Sequence, residues 1–271
     1  MGPRKHLHGP SHHQLSHGRR AWSKKKVAAL AIVLGLLSSE ARPEDGAAQW
    51  PPFLPSSVSF SSDVVSAVER TWTDRTLSRT VRGPSVPASF DLYSALVDAP
   101  DVTAAAARYR ALSRDEVHRV GDDVFEASDK NGARGFYRVL VRERGRRVNY
   151  SWGEHSGSIL GTIRGDALTV LTMEPDAGGV EQTLTAYVRI DNPFLGALAR
   201  ALLVPFGGLA DRKLAEGLKV ATRVAEWAAS DPDDFCAWLD RAPVPHERRA
   251  PIQRLVPGCQ EGQQSQAPAL R

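Results

Sequence analysis

The spacing of apolar residues changes once, abruptly, near residue 190. From Glu116 to Ile190 they tend to recur at every second position, and from Pro193 at every third or fourth. A period of two belongs to a strand with one buried face, and a period near 3.6 to a helix with one buried stripe. Such a chain is restricted to a sheet followed by a helix that covers it, because a half-apolar sheet cannot leave that face in water. Tyr137, Val139 and Val141 alternate with Arg138, Leu140 and Arg142, and Val148, Tyr150 and Trp152 alternate with Asn149 and Ser151. Further strands are expected at Val117–Val120, Val124–Ala127, Ile159–Ile163, Ala167–Met173 and Thr183–Ile190. Turn signals stand at Gly121-Asp122-Asp123, Asn131-Gly132, Gly145, Gly165-Asp166 and Asp176–Gly179. Past Asp191-Asn192, Pro193 suits the first position of a helix running from Phe194 to Ala229. Pro205 and Gly207-Gly208 are expected to kink or interrupt it, while Leu214, Leu218, Ala221, Ala225 and Ala228 form its apolar stripe. Asp233–Leu239 makes a short last helix.

Upstream, Ser62-Asp63 offers a helix cap ahead of Val64, Val65, Val68 and Trp72, and Thr76–Val81 suits a strand. Ser89 caps a helix that carries Leu92, Leu96 and Val97, which Ala99-Pro100 breaks because proline disfavours the helical region for the residue before it. Asp101 then caps a second helix through Ala104–Ala107. The chain is therefore α+β: a curved antiparallel sheet of about six to seven strands gripping a long C-terminal helix, with two short helices after the first strand.

On that element order, on the bend Asp98-Ala99-Pro100-Asp101 and on the passage YVRIDNP from Tyr187 to Pro193, the chain resembles the helix-grip fold of the START/Bet v 1-like (SRPBCC) superfamily over about Thr76–Ser230. The resemblance implies a cavity between sheet and long helix for a lipid-like or other hydrophobic small molecule. Its implied lining is Tyr137, Val139, Val141, Val148, Tyr150, Trp152, Ala186 and Val188 from the sheet, and Phe194, Leu198 and Leu202 from the helix. The alternative is that these side chains fill a solid core, as such stripes usually do.

The termini give an address. Residues 1–41 read as a signal peptide: Lys24-Lys25-Lys26 precede the apolar run Val27–Leu37, with Ser39 and Ala41 as small residues before a cut. Eleven apolar residues are too few to cross ~30 Å of hydrocarbon at about 1.5 Å per residue. Arg19-Arg20-Ala21-Trp22-Ser23-Lys24 resembles the twin-arginine export motif, with the general secretory route as the alternative. A periplasmic or secreted protein is expected. Residues 42–57 read as a linker, 58–240 as the helix-grip domain and 241–271 as a disordered tail. Cys236 and Cys259 can pair in an oxidising compartment or remain as two thiols.

Charge excludes less than it first suggests. Of 35 basic residues seven, and of 31 acidic residues one, lie in the first 41, so the body from Arg42 onward holds 28 against 30. A slightly acidic body argues against nucleic acid as a partner. His6, His8, His12, His13 and His17 fall in the removable leader, which leaves metal binding without a lasting site. There is no G-x-S-x-G, phosphate loop, H-E-x-x-H or C-x-x-C, so no catalytic residue, cofactor or metal is assigned. An enzyme of cyclase or hydrolase type would draw on Tyr150, Glu154 and His155, and a third reading is a solid-core envelope module that docks a partner. Arg142, Arg144, Arg146 and Arg147 either attract anionic headgroups or decorate a solvated hairpin tip. The stretch Phe194–Ala210, with Arg200 its only charge, offers peripheral membrane contact or a gate.

Overall fold

The computed structural model describes residues 50–55, 60–157 and 161–259, with the backbone alone over 193–210. The signal peptide expected at 1–41 lies outside the described residues. Helix α1 (Ser62–Thr73) leads to strand β1 (Leu77–Arg82), then to α2 (Phe90–Asp98) and α3 (Pro100–Tyr109). Strands β2 (Glu116–Gly121), β3 (Val124–Ser128), β4 (Ala133–Glu143), β5 (Arg146–Gly157), β6 (Gly161–Asp176) and β7 (Gly179–Ile190) follow. Helices α4 (Pro193–Ser230), α5 (Pro232–Arg241) and α6 (His246–Gln253) close the chain. The seven strands form one antiparallel sheet in the order β1-β7-β6-β5-β4-β3-β2, so the first strand returns to pair with the last.

Local chemistry explains the joints. The Ser89 Oγ accepts the Leu92 amide at 3.3 Å and starts α2. Ala99 serves both as the end of α2 and as the start of α3, where Pro100 takes the first helical position. The Thr103 hydroxyl donates to the Leu96 carbonyl at 2.6 Å across this one-residue joint.

Both faces of the sheet are covered, each by a different element. On the concave face, α2, α3 and the second half of α4 build a core in which Leu96, Val180, Val224 and Ala225 are fully buried. At that end the Tyr93 hydroxyl donates to Gln182 Oε1, while Gln182 Nε2 donates to Thr222 Oγ1 at 2.8 Å and to the Pro84 carbonyl at 2.9 Å. The buried amide is thus satisfied and ties α2, β7 and α4 together. On the convex face, α1 lays Val64, Ala67 and Val68 over Val141, Val148, Tyr150, Leu168 and Val170. Trp50, Phe53 and Leu54 pack there too, Phe53 stacking on Tyr187 at 5.2 Å, so residues 50–55 are part of the fold and not of a linker.

Three other expectations are corrected. Of the kink or interruption expected at Pro205 and Gly207-Gly208, the interruption is absent: α4 continues to Ser230, since one proline removes a single amide donor and helix on both sides propagates through it. Gly165-Asp166 is not a turn but the interior of β6, which replaces the two separate strands expected there. Residues 241–259 are ordered, because α6 and the Cys236–Cys259 disulfide fasten them to α5. In the chain-entropy account such a bridge contributes about 3 kcal/mol. Among the described residues no helix is long and apolar enough to cross a membrane.

Candidate functional site: the hollow end of the concave face

The two faces of the sheet are built from residues of different size. Register places Tyr137, Ser151, Ala167 and Val188 in one row across β4, β5, β6 and β7, and Val139, Asn149, Thr169 and Ala186 in the next. These rows face α2 and α4. The intervening positions, Phe136, Tyr150, Trp152, Leu168 and Tyr187, point to the convex side, where Phe136, Trp152 and Tyr150 stack at 5.7 and 5.4 Å. Small side chains on the gripping face leave space that large ones would fill. A cavity of about 590 Å³ lies over Tyr137, Ser151, Ala167, Val188 and Ile190. It adjoins a second of about 900 Å³ beneath α3 and α4, with which it shares Asp115, Val117 and Asp129. A third, of about 270 Å³, reaches between the Asp98–Pro100 bend and Tyr137, Val139, Asn149 and Ser151. The concave face is therefore packed at the Gln182 end and hollow at the Tyr137 end.

A row of glycines shapes the hollow. Gly135, Gly153 and Gly165 are register partners on three neighbouring strands. A Cβ on Gly153 would sit 2.6 Å from the Arg134 carbonyl oxygen and 2.7 Å from the Gly135 Cα. On Gly165 it would sit 2.4 Å from the Arg189 carbonyl oxygen. Along this line the sheet bends inward so sharply that no inner side chain fits, the role of glycine at a sheet corner.

Charge is neutralised around the bend between α2 and α3. The Arg147 guanidinium, 7% exposed, donates to both Asp98 carboxylate oxygens at 2.6 and 2.8 Å and to Ser94 at 2.7 Å. Arg248 from α6 donates to both Asp101 oxygens at 3.0 and 2.8 Å and to the Asp98 carbonyl at 3.1 Å. Its guanidinium lies 5.7 Å from the Phe125 ring, and Phe125 stacks on Tyr137 at 5.2 Å. Burial, with the Asp101 charge adding to it, pushes the Tyr137 phenol up, so the hydroxyl stays protonated and neutral. The arginines of the β4–β5 hairpin are paired rather than free for headgroups: Arg142 with Asp98 and Asp123, Arg146 with Glu143, Arg147 with Asp98, and Arg144 over Phe90.

Four of the expected lining residues, Tyr137, Val139, Ala186 and Val188, stand on the concave face. Val141, Val148, Tyr150 and Trp152 do not: they belong to the convex core under α1, although Trp152 also borders the cavity of about 590 Å³. For Val141 the cause is a β-bulge. Val139 pairs with Asn149 and Val141 with Val148, so Leu140 and Val141 together oppose one residue and the alternation slips by one. For β5 the larger apolar set is the one α1 covers. The side chains of Phe194, Leu198 and Leu202, and of the whole stretch 194–210, lie outside the described residues. Asn149, Ser151, Ala167 and the glycine row were missed, because small and polar residues carry no apolar signal.

The groups weighed for catalysis do not converge. Glu154 pairs with Arg164 at 3.0 Å on the convex side. Tyr150 also lies on that side, and burial pushes its phenol up to about 12. His155 is exposed and one residue out of phase with Glu154, at the concave rim beside Asp129. There the backbone amides of Ala133 and Asn131 outweigh desolvation and hold the Asp129 carboxyl below its usual range. Among the described residues there is no His/Cys/Asp/Glu group able to hold a metal.

A sheet whose first and last strands pair, with two short helices after the first strand and one long helix closing the concave face, decides the architecture. The chain has a helix-grip architecture, an antiparallel sheet holding a long C-terminal helix. No protein-family model matches the chain, and no curated protein matches it. Solved structures similar to this helix grip include a conserved protein from Geobacillus kaustophilus (14% identity, TM-score 0.38, 55% of this chain and 93% of that one). Another is Ara h 8.0201 (10% identity, TM-score 0.35, 55% and 95%). A third is the di-domain ARO/CYC BexL from the BE-7585A biosynthetic pathway (13% identity, TM-score 0.37, 60% and 55%). At such identities and scores nothing about function follows from them.

Proposed function

We propose that this helix-grip protein is an exported, non-enzymatic binding or carrier protein for a hydrophobic small molecule, lipid-like in character, held between the concave face and α4. One observation carries the reading. The gripping face has glycine, alanine and serine where the opposite face has tyrosine, tryptophan and leucine, and the space so left is about 590 Å³ over Ala167 and its neighbours. That volume lies in the usual range of small-molecule pockets. Catalysis has less support, since Tyr150 and Glu154 face away from His155. Export is supported by the sequence of the first 41 residues and by the Cys236–Cys259 bridge, which suits an oxidising compartment. The mass of protein recovered from producing cells is expected to correspond to a chain beginning at Arg42, and a chain beginning at Met1 would contradict export.

The binding half is tested by filling the hollow. Ala167→Phe places a ring between Ser151 and Val188, in open space. It should abolish uptake of the neutral dye N-phenyl-1-naphthylamine, read by fluorescence, with the melting temperature little changed. Uptake equal to that of the parent protein would contradict a ligand at this place.

A further inference from the structure

The smallest of the three cavities differs in chemistry from the other two, and it says what kind of ligand fits. Its floor is formed by Tyr137, Val139, Asn149 and Ser151, and its far wall by Val97, Asp98 and Pro100. Tyr137 and Ser151 are register partners, and Asn149 is the next residue of β5 on the same face, so the three lie within one side chain's reach of each other. All three are only partly buried, and none makes a side-chain hydrogen bond among the described residues. At the packed end of this face, by contrast, the Gln182 amide is satisfied by Tyr93, Thr222 and Pro84. Donors and acceptors converging unpaired on one end of an otherwise apolar groove are what fixes a ligand's orientation.

The charge of the complementary group is also restricted. Arg147 is the cation of this pocket, and all its donors are engaged: by both oxygens of Asp98, by Ser94, and by the carbonyls of Glu143 and Arg146. A guanidinium has five N–H donors, so none remains for an anion. The Asp98 carboxylate is bridged to Arg147 and Arg142, and Arg142 also to Asp123, so the cluster is balanced and offers no excess charge of either sign to a ligand. We infer that Tyr137, Asn149 and Ser151 form a hydrogen-bonding subsite for an uncharged oxygen function, a hydroxyl or carbonyl, at one end of the hydrophobic ligand. The inference rests on the binding reading above and narrows its ligand class to neutral, oxygen-terminated apolar molecules, as distinct from pure hydrocarbons and from fatty acids or phosphorylated lipids.

The test compares three probes of one skeleton: naphthalene, 2-naphthol and 2-naphthoate, titrated into the whole protein at pH 7. The expected order is 2-naphthol tightest, by roughly three- to tenfold over naphthalene, the scale of one net hydrogen bond, with 2-naphthoate weakest. In Tyr137→Phe and in Asn149→Leu/Ser151→Ala the preference for 2-naphthol should shrink, while retained naphthalene binding shows that cavity and fold survive. Equal binding of naphthalene and 2-naphthol would overturn the subsite and leave the cavity standing. Tightest binding of 2-naphthoate would overturn the neutral class. Failure of all three to bind would overturn the subsite together with the binding reading beneath it.

Discussion

Gly153→Val should be among the most damaging single substitutions in the sheet, lowering the melting temperature by roughly 5–10 °C and abolishing dye uptake. Its Cβ would lie 2.6 Å from the Arg134 carbonyl oxygen and 2.7 Å from the Gly135 Cα, both backbone atoms of the neighbouring strand. No rotamer relieves a backbone clash, so the strands must separate. Overpacking of this kind costs about 1–3 kcal/mol, and in a domain of this size each kcal/mol moves the midpoint by roughly 2–4 °C. The functional loss should exceed the stability loss, because the corner that curls the sheet around the hollow is what opens out. Gly178→Ala, which has nothing within 4 Å of its new methyl, is the control and should change neither property. A Gly153→Val protein that melts and binds like the parent would show that the inward bend has no part in the site.

Asp98→Ala should destabilise the protein by about 3 kcal/mol, the low end for a broken buried pair because Asp98 is 33% exposed. The cost comes from what remains. Arg147, 7% exposed, would keep its charge with only Ser94 and two carbonyls as partners. The bend that positions α2 against α3 would also lose one of its two arginine forks. Adding Arg147→Met should recover most of the loss, since an apolar chain of similar length removes the orphaned charge. Denaturant unfolding of the four proteins in the cycle reads this directly. A double variant no more stable than Asp98→Ala would mean that the fork acts through geometry and not through the burial of charge.

Much of the architecture was legible in the sequence because its signals are local. The switch of period near residue 190, the proline after Ala99 and the serine before Phe90 each announce an element boundary by their own chemistry. The site was less legible, for three physical reasons. The bulge at Leu140 is silent, since Val139, Leu140 and Val141 are all apolar and a slip of one leaves the pattern unbroken. The sheet has two apolar faces, and the larger side chains, Tyr150 and Trp152, serve the one covered by α1. A hollow, finally, is made by what is absent: Gly153 and Ala167 enclose the space because they are small, and Gly165 looked like a turn when it marks a bend inside a strand.

The helix grip should enclose a ligand and not a solid core. Native mass spectrometry of protein recovered from producing cells, run beside an organic extract of the same sample, tests it most directly. A reproducible adduct is expected, released into the extract as an uncharged, mainly apolar compound bearing oxygen, and absent from Ala167→Phe. A clean apo mass with no uptake from a mixture of hydrophobic compounds would contradict it and turn the concave face back into ordinary packing.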